Sequence, residues 1–122
     1  MSEHLTKKQL GALGESSAAN YLQQHGLKVL ERNWRCRSGE IDLVAADGEL
    51  LVFVEVRTRS SSGFGTPAES IDFRKQRQVI ETAQVYLMHK KEYERQIRFD
   101  VVSVMADPMG NVRSIEHIRG AF

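Results

Sequence analysis

Residues 38–59 read SGEIDLVAADGELLVFVEVRTR. Glu40-Ile41-Asp42-Leu43-Val44 alternates polar and apolar before turning apolar, and residues 50–56 are rich in β-branched and aromatic side chains. Both halves read as strands. Between them Asp47-Gly48 marks a hairpin, because Asp and Gly tolerate the positive φ of a type I′ turn. With Asp47 and Gly48 as the two turn residues, Val44 faces Leu51, Asp42 faces Phe53 and Glu40 faces Glu55. Side chains alternate along a strand with period two. Glu40, Asp42, Glu55 and Arg57 then leave one face, with Glu55 opposite Glu40 and diagonal to Asp42. Facing like charges cost stability, so a cation, a shared proton or Arg57 is expected to offset them. An acid cluster on an apolar strand pair is the shape of a divalent-metal site built from hard oxygen ligands. A bulge in either strand would move Glu40 or Asp42 to the other face.

The whole chain has 122 residues, which predicts one domain spanning 1–122. Its formal charge is +1, so no gross basic footprint points to nucleic acid. The basic residues are mostly arginine, eleven against six lysines, and several lie close to the hairpin in sequence. Arginine is favoured where phosphate is gripped by two bonds at once, and is also common on surfaces, so both readings stand. The single cysteine, Cys36, rules out an intrachain disulfide and a multi-cysteine zinc site. The first residues carry no apolar signal region, and no apolar run approaches the ~18 residues of a membrane span. The expectation is a cytoplasmic protein with no membrane partner.

Residues 6–25 read as a helix stopped at Gly26. Leu10, Gly11, Ala12, Ala18, Ala19, Tyr21 and Leu22 form one band, and Glu15 falls inside it. A carboxylate there either pairs or snorkels outward, or it binds a ligand. Residues 27–34 read as a strand, with Trp34 in the core or at a strand edge. After the hairpin, residues 60–65 have linker character. Thr66-Pro67-Ala68-Glu69 has the pattern of a helix start with a capping box, and predicts a helix running to about His89. Its apolar face is expected at Phe73, Val79, Ile80, Ala83, Tyr86 and Leu87. Arg74, Lys75 and Arg77 lie on or beside its exposed face, either holding phosphates or simply solvated. Residues 97–105 and 112–118 read as strands around a turn at 107–111, and Asp100 is expected to pair with an arginine. The order α-β-β-β-α-β-β predicts an α/β fold, a central mixed β-sheet flanked by helices.

The ordered set of motifs carries a resemblance. It comprises G-x-x-G-E at Gly11 to Glu15, S-G-E-I-D-L-V at Ser38 to Val44, F-V-E-V-R-T-R at Phe53 to Arg59, a helix bearing Lys75, and Arg98-Phe99-Asp100-Val101. It resembles the YraN-type bacterial uncharacterised protein family across essentially the whole chain. Glu15, Asp42 and Glu55-Val56-Arg57 are similar to the PD-(D/E)-x-K constellation of the restriction-endonuclease-like fold, and their order is similar to that of archaeal Holliday-junction resolvases. Ile41 stands before Asp42 where that constellation has proline, and Arg57 stands where it has lysine.

The resemblance implies a Mg²⁺- or Mn²⁺-dependent DNA endonuclease acting in repair or recombination, with branched or junction DNA among its substrates. Catalytic residues would be Glu15, Asp42, Glu55 and Arg57. Asp42, Glu55 and the Val56 carbonyl would bind metal, and Glu15 would hold a second metal or a water. Glu40 would stand behind them. Arg57 can stabilise negative charge but cannot act as a base; Lys75 is the candidate for an amine from elsewhere. Arg35, Arg37, Arg59, Arg74, Lys75 and Arg77 would contact nucleic acid. Symmetric cutting needs two active sites, which implies a homodimer or a partner protein. Two other readings stand beside the endonuclease: a non-catalytic DNA-binding protein on a nuclease-like fold, and a structural partner-binding domain whose acids pair with Arg57 and Arg59.

Overall fold

The structure is a computed structural model in which residues 4–60 and 71–122 are described. The readings made for the serine-rich stretch 61–65 and for Thr66 and Glu69 lie outside the described residues.

The first helix, α1 (Lys7–Gln24), begins where its capping chemistry begins. The Thr6 hydroxyl accepts from the Gln9 amide at 3.0 Å, and the Gln9 side chain accepts from the Thr6 amide at 2.9 Å. These two bonds satisfy donors that a helix start leaves open. The chain leaves the helix through Gly26 at φ +94°, a conformation that costs glycine nothing.

Five strands form one sheet in the order of the chain: β1 (Lys28–Cys36), β2 (Gly39–Asp47), β3 (Leu50–Arg59), β4 (Ile97–Ala106) and β5 (Val112–Ile118). All neighbours are antiparallel except β3 and β4. A parallel pair needs a crossover, and the connection carrying α2 (Phe73–Lys90) supplies it. The fold is therefore α/β with a mixed sheet in the order read from the sequence.

The helices cover opposite faces. Ala18, Ala19 and Leu22 of α1 pack with Leu43, Ala45, Val52, Val54, Val102 and Val104. Ala83 and Tyr86 of α2 pack with Ile41, Val44, Leu51 and Phe53, and Trp34 closes this second core edge-on to Tyr86. The small residues of α1 let it approach closely: a Cβ at Gly14 would stand 2.9 Å from Thr58 Cβ on β3.

Three expectations need correction. The turn of the β2–β3 hairpin is Gly48-Glu49, not Asp47-Gly48, because Asp47 pairs with Leu50. Gly48 takes φ +61°, so the flexible residue still makes the turn, and the register moves by two. Val44 therefore pairs with Phe53 and Leu43 with Val54. Second, Asp72 caps α2, accepting from the Lys75 amide at 2.9 Å, so the described helix starts later than Thr66 would place it. Third, Phe73 and Ile80 lie on the outer side of α2, Phe73 being 86% exposed, because the helix turns Val79, Thr82, Ala83 and Tyr86 inward.

Candidate active site

The hairpin places its acids where strict alternation fails. Leu43 and Ala45 belong to the α1-side core, whereas Ile41 belongs with Val44 to the α2-side core. Between Ile41 and Val44, β2 therefore turns over, and Asp42 sits at the turning point. On the neighbouring strand Asn33, across from Asp42, adopts φ +53° between the pairs Arg32–Leu43 and Trp34–Ile41. Asparagine tolerates that backbone better than most residues. The expectation that Glu40, Asp42, Glu55 and Arg57 share one face by period two is overturned here. The turnover opens Asp42 to α1 as well as to β3.

Asp42 is 8% exposed, and its Oδ2 accepts from the Val56 amide at 2.9 Å. A side chain thus takes the Val56 amide, two residues beyond the Leu43–Val54 pair, where the ladder would otherwise continue. Glu55 lies beside it, 6% exposed, with Val54 and Val56 facing the α1 core on either side. One Glu55 oxygen, Oε1, stands 3.4 Å from Lys75 Nζ. The other, Oε2, is buried with no hydrogen-bond partner among the described residues. Among the described residues only Ser103 Oγ shares that condition. Ser103 pairs with Arg57 across β3 and β4, so both orphaned oxygens lie on the α2 side of neighbouring strands.

The electrostatics follow from this packing. Burial first, then the Asp42 charge, push Glu55 up to about 8, and Lys75 only partly offsets them. Burial also raises Asp42, against the Val56 amide that favours its ionised form. Each acid is within hydrogen-bonding reach of the other when one carries a proton. Glu15, half-buried on α1, is raised by burial and then by Asp42, while a hydrogen bond from Asn33 works the other way. Arg57 is lowered by burial and by Arg59, with Glu55 and Asp72 opposing the shift.

The sequence-predicted residues divide by position. Asp42 of β2, Glu55 of β3 and Lys75 of α2 feel one another's charges, Glu15 of α1 joins them through Asp42, and Arg57 of β3 joins them through Glu55. Glu40 is held by Arg35 at 2.7 Å in an exposed ion pair, and acts on Asp42 and Glu15 through its charge. Arg37 is exposed in the β1–β2 turn, which is held to α2 by Ser38–Thr82 and Ser38–Gln78 contacts. Arg59 is exposed near the end of β3, and Arg74 in the first turn of α2. Arg77 lines a groove with Phe73 and Ile80 on the outer side of α2, away from the acids. Asn33 and Asp72 were missed. Asn33 carried a signal, being a turn-favouring residue inside a strand pattern.

Among the described residues no three acidic, histidine or cysteine groups form a ready-made metal cage. The fit to a cation rests on the orphaned Glu55 Oε2 beside Asp42. Two carboxylates match what Mg²⁺ takes from proteins, since it keeps several waters and uses substrate phosphates for the rest. No described helix is long and apolar enough to cross a membrane.

Relatives share nearly the whole chain. A protein of Rhodococcus opacus is 49% identical over 113 residues, covering 93% of this chain and 95% of its own. One from Moorella thermoacetica is 49% identical over 118 residues, covering 97% and 98%. One from Caldanaerobacter subterraneus is 43% identical over 119 residues, covering 97% and 98%. Each bears the name UPF0102 protein. The profile of that family spans residues 14–104, from the glycine beside Glu15 to near the end of β4. This chain belongs to the uncharacterised protein family UPF0102, the YraN-type family its motifs resemble.

Proposed function

We propose that the chain is a divalent-metal-dependent phosphodiesterase that hydrolyses DNA. The observation that carries this reading is a buried carboxylate oxygen, Glu55 Oε2, that no donor among the described residues meets and that lies beside a second buried acid. An unmet buried acceptor costs about 1–3 kcal/mol, more if charged, and a fold keeps it where it serves chemistry. Asp42, Glu55 and the Val56 carbonyl would hold Mg²⁺ or Mn²⁺. When bound, the cation supplies a Lewis acid for a phosphoryl oxygen.

The chain's own groups supply the rest. The Val56 amide fixes Asp42 Oδ2, so one ligand is oriented before anything binds. Arg57, close enough to be felt by Glu55, presents a permanent cation to the negative charge that builds on phosphorus. Glu15, its carboxyl raised by burial and by Asp42, can hold a proton at the α1 edge of the site. Arg37, Arg59 and Arg74 stand on the turn, strand and helix that meet around the acids, a rim for the phosphates on either side. A cytoplasmic location and a homodimer or partner protein belong to the same proposal.

The test is cleavage of labelled single-stranded, duplex and four-way-junction DNA with Mg²⁺ or Mn²⁺, beside a Glu55→Ala control purified identically. Metal-dependent cuts that vanish in the control are expected, and the preferred substrate names the structure recognised. Cuts that survive Glu55→Ala would place the chemistry elsewhere. Binding without cuts would favour a non-catalytic DNA-binding protein, a reading that the arginine at position 57 also favours.

A further inference from the structure

Lys75 contributes an ammonium to the acid pair from a different element than Arg57. Its Nζ stands 3.4 Å from Glu55 Oε1, and its charge is also felt by Asp42. That separation exceeds the ~2.7–2.9 Å of a charge-assisted hydrogen bond, so the ammonium is near Glu55 but not locked to it. Its backbone is fixed, because the Lys75 amide donates to the Asp72 cap at 2.9 Å. Its side chain remains 37% exposed on a flexible four-carbon stem. Lys75 can therefore swing without disturbing the core, whereas Glu55 cannot.

We propose that Lys75 is an exchangeable counter-ion. It pairs with Glu55 wherever that acid is ionised in the free protein, leaves when a divalent cation takes the Asp42–Glu55 oxygens, and then grips a phosphate of the bound DNA. The inference rests on the metal-site reading above. Two cations cannot share one carboxylate at close range without repulsion. The displaced ammonium stays tethered in the first turn of α2, where the helix dipole also favours an anion. Loading the cation and engaging the backbone are thereby one coupled event.

The experiment compares the full chain, Lys75→Met and Lys75→Arg, with Lys90→Met as a control that loses the exposed ion pair to Glu31 and a cation–π contact with Tyr86. Calorimetry with Mn²⁺ alone at pH 8.5 reads the exchange. Lys75→Met is expected to bind Mn²⁺ about three- to tenfold tighter, as for losing a modest competing ion pair. Lys75→Arg and Lys90→Met should stay near wild type. Binding of labelled duplex DNA reads the grip. Lys75→Met should bind about threefold or more weakly with Ca²⁺ present, and like wild type in EDTA, where Lys75 is still occupied by Glu55. A misfolded variant would lose both affinities together, which overturns the inference. So would an unchanged Mn²⁺ affinity, or a DNA defect equal in EDTA and Ca²⁺. If no form cleaves DNA but both shifts appear, the counter-ion stands and the phosphodiesterase reading falls. If wild type cleaves and Mn²⁺ affinity does not move, the reverse holds.

Discussion

Asp100 and Glu55 are both buried carboxylates on the paired strands β4 and β3, one rung apart and on opposite faces of the sheet. Asp100 is fully buried and every direction around it is used. Arg98 grips both oxygens at 2.8 and 2.9 Å, His117 Nε2 stands 2.7 Å from Oδ2, and the Gly120 amide donates at 3.0 Å. Burial alone would raise its pKa; these partners, His117 and Arg98 foremost, outweigh it and pull Asp100 down to about 2. Glu55 has one loose ammonium and one orphaned oxygen, and is pushed up to about 8. The same sheet thus satisfies one acid completely and leaves the other unfinished. A satisfied buried acid ties structure together: Asp100 anchors β5 and the chain after it through His117 and Gly120. An unfinished one is a candidate site for a ligand.

The contrast can be broken by exchanging the effects. Asp100→Ala should cost roughly 3 kcal/mol, the low end for breaking a buried ion pair, because Arg98 keeps its contact with Asp47. Denaturant unfolding measures this, and DNA cleavage per folded molecule should be unchanged. Glu55→Gln should do the opposite. Cleavage should fall on the order of 10³-fold, since several kcal/mol of charge stabilisation are lost with the ligand. Stability at pH 8.5 should hold or rise by about 1–2 kcal/mol as a costly buried charge is removed. If Glu55→Gln unfolds the protein and Asp100→Ala stops cleavage, the roles are reversed.

The pH dependence of stability sharpens the same point, because the two shifts have opposite signs. Glu55 is raised from an ordinary value of 4.5 to about 8, so the folded state holds a proton that the unfolded chain releases. Its contribution is fully present below about pH 4.5 and is lost as pH rises through 8. Asp42 is shifted in the same direction, so this fall belongs to the pair. Asp100 is lowered from 3.8 to about 2. Its contribution is present above about pH 4 and is lost as pH falls through 2. Urea melts across pH 2–9 should show both slopes. Glu55→Gln should flatten only the alkaline slope, and Asp100→Asn only the acid one.

A smaller effect comes from the packing behind the acids. Gly14→Ala brings a Cβ against Thr58, 2.9 Å from its Cβ, and must push α1 from β3. A loss of about 1–2 kcal/mol is expected from overpacking. Glu15 is the next residue, so cleavage should fall too, by more than Gly11→Ala reduces it, because nothing lies within 4 Å of a Cβ at Gly11.

Much of the fold was legible because its signals were local. The helix start at Thr6, its stop at Gly26, and the Asp107–Asn111 turn before β5 stand where the residues predict. The pairing of Asp100 with an arginine follows from the cost of a lone buried acid. What failed depended on choices between near-equal local options. Asp47-Gly48 and Gly48-Glu49 both place glycine in the turn, and tertiary pairing selects the second. The shift brings Asp42 level with Glu55, one rung beyond Leu43–Val54, so these two acids stay near each other despite the error. The turnover at Asp42 was legible only as a bulge that either strand could carry, because Asn33, the turn-favouring residue across from it, lies on another strand. Phe73 misled because hydrophobicity alone does not fix a helix's rotation when Thr82 turns inward, its hydroxyl bonding to Gln78 and Ser38. The Lys75–Glu55 contact joins residues twenty positions apart and needs the crossover to bring α2 back over β2 and β1.

The most direct measurement is the thermal midpoint at pH 8.5 with and without millimolar Mn²⁺, for wild type, Asp42→Ala and Asp100→Asn. Binding to the folded state alone raises the midpoint. The expected result is a rise in wild type and in Asp100→Asn, and none in Asp42→Ala. A rise that persists in Asp42→Ala, or no rise in wild type, would contradict a cation site at the unfinished acid pair.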